Sequence, residues 1–239
     1  MLGYPDQAQA SIDDALHLAE QLDHPLSLLL ALVFATVIDQ FRREPESAQR
    51  RLAAAETLAA EQRRVPFFDA RVLRGGNLTA QDEAADAVAQ IREGLADRQK
   101  PGANKLGRPY GLGLLSEALA RSGEHDAALA AVMEALAAAA QIGERWWDAE
   151  LHRVKGLRLL ACGDVADTQT AFHDALRVAR EQQAKSLELR AATSLARLWG
   201  EQGQSTEARE LLAPVHGWFT EGFDTADLKE AKGLLDELM

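Results

Sequence analysis

Cysteine, aromatic residues and positive charge are all scarce in this sequence. Cys162 is the only cysteine among 239 residues, and Phe, Trp and Tyr together make up 5%. A single cysteine excludes an intrachain disulfide and any Cys-x-x-Cys metal or redox motif. Acidic residues outnumber basic ones, 37 to 26, which gives a net charge of −11 at pH 7. Because such a surface repels phosphate backbones, we expect this chain to have no nucleic-acid partner.

Long hydrophobic runs are also missing. The longest apolar stretch runs from Leu26 to Ile38 and ends at Asp39, which is short for a helix that spans a bilayer. The first residues, Met1 to Asp6, lack the basic start and the apolar centre of a signal peptide. We therefore expect a cytoplasmic protein with no membrane partner.

The motifs that hold nucleotides, metals or covalent intermediates do not occur. The sequence has no Gly-x-x-x-x-Gly-Lys-Ser/Thr phosphate loop, and Gly111-Leu112-Gly113 lacks the third glycine of a dinucleotide-binding turn. None of the six histidines stands in a His-x-x-x-His or His-Glu-x-x-His pair. No general base has an arguable position near Cys162. We predict no catalytic residues, no metal site and no cofactor, and hence no enzyme activity.

What the sequence does have is a six-residue segment that recurs along its whole length. The copies begin with Gly3, Arg43, Asp82, Gly123, Gly163 and Gly203, at steps of 40, 39, 41, 40 and 40 residues. A fixed period of this size is typical of a solenoid of helical hairpins, in which each repeat forms a helix A, a tight turn at the hexamer and a helix B. Such proteins usually act by binding along their surface, and the period does not identify the ligand.

Residue size follows the same period around each turn. Seven residues before the hexamer stands a mostly small residue, which lets the two helices of a hairpin approach closely: Thr36, Gly75, Ser116, Gly156 and Ala196. Four residues before it the later repeats carry a bulky apolar residue: Leu78, Leu119, Leu159 and Trp199. The second repeat departs from this pattern with Asp39. Helix B carries a small–large–small stripe on one face, such as Thr168, Phe172 and Ala175.

This pattern resembles the tetratricopeptide (TPR) repeat, most clearly at Gly156…Leu159…Gly163-Asp164 and Thr168…Phe172…Ala175-Leu176. The period is nearer 40 than the usual 34 residues, so each helix is expected to be about one turn longer. The resemblance implies an all-α, right-handed superhelical solenoid of TPR-like hairpins that forms a single domain over residues 1–239. The first repeat lacks its N-terminal helix, residues 217–239 form a C-terminal cap with a capping helix, and residues 99–107 form a long turn between repeats.

Two longer sequence segments make the resemblance more specific. Residues 144–156 and 184–199, with the ending 218–229, are similar to the extreme C-terminal TPR arm of large bacterial signal-transduction ATPases. In that family a class III adenylate/guanylate cyclase domain, or a LuxR-type DNA-binding domain, precedes the ATPase. The resemblance implies a sensor or scaffold arm that binds a partner protein or peptide, and it implies no catalysis for this chain.

Helix A lines the inner surface of such arrays, so we predict a partner-binding groove there. Its candidate residues, counted from each turn, are Tyr110, Glu117, Arg121, Trp146, Glu150, Arg153, Arg190 and Arg197. The arginines can fork onto the carboxylates of an acidic peptide. The alternative is that they pair with glutamates of neighbouring repeats, each pair contributing little. Trp146 and Trp147 either pack against the preceding repeat at the start of helix A or present one ring at the rim of the groove as an anchor for a partner.

The two ends of the predicted array differ. Without a first helix A, an apolar face formed by Ile12, Leu30, Val33, Val37 and Phe41 is expected to lack a cover, which makes a homodimer through this end the alternative function. At the other end, Trp218, Phe219 and Phe223 are expected to plug the core. Asp224 or Thr225 is expected to N-cap the last helix.

Overall fold

The computed structural model describes residues 1–62, 69–97 and 105–239. Within these ranges the chain forms twelve α-helices, and the predicted all-α fold is confirmed. The helices are α1 (Pro5–Gln21), α2 (Pro25–Arg42), α3 (Pro45–Glu61), α4 (Ala70–Ala80), α5 (Ala84–Asp97), α6 (Arg108–Arg121), α7 (His125–Ile142), α8 (Asp148–Ala161), α9 (Val165–Glu181), α10 (Lys185–Glu201), α11 (Ser205–His216) and α12 (Ala226–Glu237).

The helices group into two compact units. The N-terminal unit comprises Asp6–Ala131, and the C-terminal unit comprises Val132–Met239 together with Met1–Pro5. In the N-terminal unit α2 packs on α3 and α4 packs on α5 and α6. In the C-terminal unit α8 packs on α9, and α10 contacts α8, α9, α11 and α12. That the whole chain forms a single domain stays a prediction.

The hexamer turns share one backbone conformation, which explains the repeat that the sequence displays. All six first residues have a positive φ, from 61° at Arg43 to 100° at Gly3. Glycine adopts this left-handed conformation without strain, and it ends a helix by turning the chain. In the last five hexamers the second residue donates its N–H to the carbonyl five residues earlier, as Asp164 does to Leu159 at 3.0 Å. This bond closes a Schellman motif and fixes the position of the bulky apolar residue.

Two glycines show why the position seven residues before the turn is small. A side chain on Gly156 would place its Cβ 2.5 Å from Cε1 of Phe172, and one on Gly75 would lie 2.3 Å from Cγ1 of Ile91. Both distances are far inside van der Waals contact, so helices α8 and α9, and likewise α4 and α5, touch through backbone at these points. The predicted close approach of helix A and helix B is confirmed at both hairpins.

The repeat pattern predicts helix A of the third repeat at about 66–80 and helix A of the fifth repeat at about 145–161. The other helix boundaries that it predicts agree with the structure to within about two residues. Helix α4 begins later than expected, at Ala70, because Asp69 caps it by accepting the N–H of Arg71 at 3.0 Å. Helix α8 begins at Asp148 and not at 145, since Trp146 and Trp147 form a turn before it. Of the predicted inter-repeat turn 99–107, residues 99–104 lie outside the described residues.

The C-terminal cap closes the core with fewer residues than expected. Phe219 is buried beside Leu212, Leu228 and Leu234, whereas Phe223 is exposed and Trp218 only partly buried. Thr225 is the N-cap residue of α12, but its hydroxyl donates to the carbonyl of Gly222 at 2.6 Å and makes no capping bond. Phe219 is therefore the plug, and Trp218 remains available for another contact.

Helix α2 is, by length and composition alone, long and apolar enough to cross a membrane. This is weak evidence, because core helices of water-soluble proteins and signal sequences near an N-terminus pass the same test. In the structure Leu29, Val33 and Val37 of this helix are buried within the N-terminal unit, as is Asp39 near its C-terminal end.

Candidate interaction surfaces

Three of the predicted groove residues lie in the N-terminal unit, and one of them belongs to the core. Tyr110 is only 1% exposed. Its hydroxyl donates to Oε1 of Gln40 at 2.5 Å, and its ring meets Phe41 edge-on. Tyr110 therefore does not line an accessible groove, because two side chains of α2 contact it. Glu117 is half-buried, and Arg121 is exposed with its Nη1 2.5 Å from Oδ1 of Asp82 in the preceding repeat.

The two adjacent tryptophans of the C-terminal unit have different environments. Trp147 is buried, while Trp146 is half-buried and donates its indole N–H to Oε1 of Glu144 at 2.8 Å. Their ring centroids lie 5.4 Å apart. Trp147 is a core residue. Trp146 packs on Trp147 with one part of its ring and is in contact with solvent with another part, so it fits neither of the two predicted arrangements alone.

The strongest concentration of charge is a cluster between α8 and α10. Glu150 is 2% exposed and is held by Arg153, whose Nη2 lies 2.6 Å from Oε1 and whose Nε lies 3.0 Å from Oε2. This is a bidentate pair, the strongest common form of ion pair in proteins. Arg190 of α10 adds a third bond, with Nη1 3.2 Å from the same Oε1. The structure thus brings together three of the predicted groove residues.

The cluster extends to α12 through residues that the sequence analysis did not select. The Nε of Arg190 lies 2.7 Å from Oδ2 of Asp227, in the first turn of α12. Ser194, one turn after Arg190, lies 3.5 Å from Nη1 of Arg153. Asp227 was visible in the sequence only as a favourable charge at a helix start. Its spacing of 37 residues from Arg190, close to one repeat period, is the signal that could have indicated the contact.

Electrostatics favour the ionised form of Glu150. Burial alone would raise the pKa of this carboxyl group, but the charges of Arg153 and Arg190 and their hydrogen bonds outweigh the burial. The pKa of Glu150 is lowered from 4.5 to about 2. We name Glu150, Arg153, Arg190 and Asp227 the charge cluster, and Glu150 remains ionised across the physiological pH range.

One predicted groove arginine stands beside the charge cluster and reaches solvent. Arg197 of α10 is about half exposed, with Nη2 2.8 Å from Oε1 of Glu230 on α12. An exposed ion pair of this kind contributes little to stability and exchanges partners readily. Because Arg190 and Arg197 are seven residues apart, they lie on the same face of α10. Arg197 is therefore a solvent-accessible cation on the face of α10 that carries Arg190.

The predicted self-association face is only partly exposed. Ile12, Val33 and Val37 are buried, Val33 at 1% exposure, and Phe41 is half-buried against Tyr110. Only Leu30, at 36%, reaches solvent as predicted. Those buried residues face the interior of the N-terminal unit. Most of the residues predicted for this face are therefore covered by other parts of the same unit, and whether the face supports self-association stays a prediction.

Other apolar residues of this region are exposed, at the end of α1 and in the N-terminal part of α2. We name them the α1–α2 stripe: Leu18, Leu22, Leu26, Leu30 and Phe34. Each is spaced four residues from the next, so those within one helix share a face. Five large apolar side chains in contact with water make up the kind of surface that marks an interaction site.

Among the described residues, no three His, Cys, Asp or Glu side chains group closely enough to hold a metal ion. Cys162 is exposed at the start of a hexamer turn.

No protein-family model matches the chain, and no curated protein matches it. Among solved structures, the chain is similar to a putative kinesin light chain with nearly identical TPR-like repeats from Podosopora anserina. The two share 18% sequence identity with a TM-score of 0.54, and the match covers 81% of this chain and 95% of that one. The chain is a TPR-like helical repeat protein.

The TPR-like arrangement of antiparallel hairpins that the sequence predicted is therefore confirmed. At this level of identity the similarity shows the fold alone. TPR-like repeats generally act as modules for protein–protein interaction.

Proposed function

We propose that this TPR-like protein binds a partner protein or peptide through the face of α8, α10 and α12 that carries the charge cluster. The contact between Glu150, Arg153 and Arg190 is the observation that carries the proposal. Charged side chains buried at a helix interface are usually no better for stability than apolar ones of similar volume. A cluster of this kind instead fixes the positions of its members, and it does so next to Arg197.

The partner that fits this face is an acidic, extended segment. Arg197 already holds a carboxylate, that of Glu230, in an exposed pair that a competing carboxylate can replace. An arginine can bind such a group with two parallel hydrogen bonds. Because the whole chain carries a net charge of −11, attraction of an acidic ligand depends on this local cluster of arginines and is expected to weaken as salt is added.

The cellular role we propose is that of a sensor or scaffold arm, like the C-terminal arm of bacterial signalling ATPases and cyclases. The strings at 144–156 and 184–199, which form the start of α8 and most of α10, support this role. A bacterial cytoplasmic location and the lack of catalysis belong to the same proposal. Turnover of a nucleotide by the pure protein would contradict it.

The proposal is tested by selecting peptides against the purified full chain and measuring their affinity for variants. We expect the selected peptides to be rich in Asp and Glu, and Arg197→Glu to weaken their binding at least tenfold. The matched control is Arg209→Glu, an exposed arginine on α11, which should bind as the unmodified chain does. Selection of peptides without acidic residues, or an equal loss in both variants, would contradict the proposal.

A second function, self-association, is favoured by the α1–α2 stripe. Two copies that meet through it would remove five exposed apolar side chains from water. Light scattering after size exclusion, across a wide concentration range, should show a dimer that Leu30→Glu disrupts. Val165→Glu, which changes an exposed apolar residue of α9, is the matched control and should leave the dimer intact. A monomer at every concentration would exclude self-association, and sedimentation with phospholipid vesicles would indicate a membrane surface instead.

A further inference from the structure

Residues Met1–Pro5 pack against the C-terminal hairpins, although the rest of the chain separates the two in sequence. The carbonyl of Met1 accepts the backbone N–H of Ser186 at 3.0 Å. Ser186 lies in the first turn of α10, where N–H groups have no partner within the helix. The segment therefore supplies an acceptor for the N–H of Ser186, which has no hydrogen-bond acceptor within α10.

Gly3 lies very close to the surface that receives the segment. Its φ is 100°, and a Cβ at this position would lie 2.4 Å from Cζ3 of Trp218 and 2.8 Å from Cβ of Lys185. Only glycine fits both the backbone conformation and the space. The next residue, Tyr4, stacks at a tilt on Trp218, with ring centroids 5.5 Å apart. Trp218, which is not buried in the core, thus contacts two consecutive residues of the segment, Gly3 and Tyr4.

The contact ends at a second glycine, on the other side of the interface. Gly222 has a φ of 73°, and a Cβ there would lie 2.0 Å from Cγ of Pro5. Glycine is therefore required once on the segment and once on the surface that receives it. Lys185 completes the surface, with its Nζ 5.5 Å from the centre of the Trp218 ring, a cation–π contact that fixes the indole.

We propose that Lys185, Ser186, Trp218 and Gly222 form a docking site for an extended, uncharged peptide of the type Gly-Tyr-Pro, and that residues Met1–Pro5 of this chain fill it. Trp218 receives a small residue and then an aromatic ring, Gly222 receives a proline, and Ser186 binds the backbone. Ser186 lies four residues before Arg190 on α10, so the docking site adjoins the charge cluster. The ligand differs in chemistry, because this site contains no arginine.

The built-in segment is expected to exclude external peptides by mass action. A tethered ligand acts at an effective concentration of the order of millimolar. A free peptide of the same sequence therefore binds only when the segment has been displaced. A variant that cannot occupy its own site should then become a receptor for the free peptide.

The experiment uses the full chain with the change Gly3→Val, which places a branched side chain where Trp218 and Lys185 leave no space. We expect the amide hydrogen of Ser186, followed by NMR, to exchange with solvent at least ten times faster in this variant. Leu2→Ala is the matched control, since Leu2 belongs to the same segment but is 62% exposed. It should leave the exchange of Ser186 unchanged.

The second arm measures binding of a fluorescent Met-Leu-Gly-Tyr-Pro peptide, acetylated and amidated so that it carries no charge. We expect it to bind the Gly3→Val variant at least ten times more tightly than the unmodified chain, and a peptide with Val in place of Gly to bind neither. Unchanged exchange at Ser186, or equal affinity for both chains, would overturn the proposal. If Gly3→Val unfolds the chain, Gly222→Ala perturbs the same contact from the receiving side. It should also speed the exchange of Ser186, and it should fail to bind the free peptide because the docking site itself is blocked.

The test of the docking site and the test of the proposed acidic-peptide surface give independent results. The probe here is uncharged, so Arg197→Glu should not alter its affinity. Conversely, loss of binding to acidic peptides in Arg197→Glu would leave the exchange of Ser186 as it is. Each proposal can therefore fail without the other.

Discussion

At the residue scale, Asp39 is the clearest departure from the repeat. It stands where the later repeats carry leucine or tryptophan, and it is completely buried in the N-terminal unit. Its Oδ1 accepts a hydrogen bond from Nη1 of Arg51 at 2.9 Å, while Oδ2 has no hydrogen-bond partner in the part of the chain that the structure describes. Burial outweighs the charge of Arg51 and raises the pKa of Asp39 from 3.8 to about 6.

We predict that acidification stabilises the N-terminal unit through Asp39. The folded unit binds this proton more tightly than the unfolded chain, so the free energy of unfolding rises as the pH falls through 6 and the gain is complete below about 4. A shift of this size corresponds to about 3 kcal/mol. Hydrogen exchange measured by mass spectrometry on α2, between pH 7 and 4 and corrected for intrinsic rates, provides the measurement.

The control for this prediction is Asp39→Asn, which keeps the shape of the side chain but cannot titrate. The variant should lack the gain in stability below pH 6 while retaining the pH dependence of the rest of the unit. An identical pH profile in both proteins would show that Asp39 does not change its charge in this range.

We predict the opposite pH dependence for Glu150. Its pKa is lowered from 4.5 to about 2, so its contribution is complete above about pH 5 and is lost as the pH falls toward 2. Glu150→Gln should destabilise the C-terminal unit by roughly 3 kcal/mol at pH 7, and the difference should vanish near pH 2. All four tryptophans belong to the C-terminal unit, so their fluorescence during urea unfolding reports on it selectively. A difference that stays constant with pH would contradict the assignment.

At the scale of elements, the repeat period determined which residues form helices and where they turn. A left-handed residue at each hexamer and a small residue seven positions earlier are local requirements, and a single sequence displays them. Which side of a helix is covered depends on neighbours that the period does not specify. This is why Tyr110 and Val33 were assigned to exposed faces and why the contact of Arg190 with Asp227 was missed.

We predict that Gly156→Ala destabilises the hairpin of α8 and α9. The new methyl group would meet the ring of Phe172, which the core holds in place, and overpacking of this kind costs roughly 1–3 kcal/mol. Gly233→Ala is the matched control, since nothing lies within 4 Å of a Cβ at that position of α12. It should stabilise the chain by about 1 kcal/mol, because alanine is the better helix former. Thermal unfolding followed by circular dichroism separates the two, and equal effects would contradict the close approach.

At the scale of the whole molecule, net charge and exposed apolar surface have opposite effects on self-association. The net charge of −11 at pH 7 keeps copies of the chain apart, and the α1–α2 stripe favours their association. The sequence predicted an apolar face at the first helices. Of its residues Leu30 is exposed and Ile12, Val33 and Val37 are buried, because side-chain exposure depends on tertiary packing.

We predict that self-association strengthens as the pH approaches the isoelectric point of about 5.0. Protonation of carboxylates lowers the repulsion between copies, while the apolar contact is unaffected. Light scattering at pH 7 and pH 5.5 should show a larger mass at the lower pH for the unmodified chain. Leu30→Glu should remain smaller at both values, and an equal increase in this variant would point to precipitation without a defined interface.

The packing of Met1–Pro5 in the C-terminal unit has a consequence for when this unit can fold during synthesis. Residues 1–5 are synthesised long before Ser186, Trp218 and Gly222, which receive them. A contact between residues 1 and 186 closes slowly, because a long loop must be ordered before the contact forms. The C-terminal unit therefore cannot reach its final structure until residue 222 has left the ribosome. Until it does, Gly3, Tyr4 and Trp218 are exposed together to chaperones, proteases and other nascent chains.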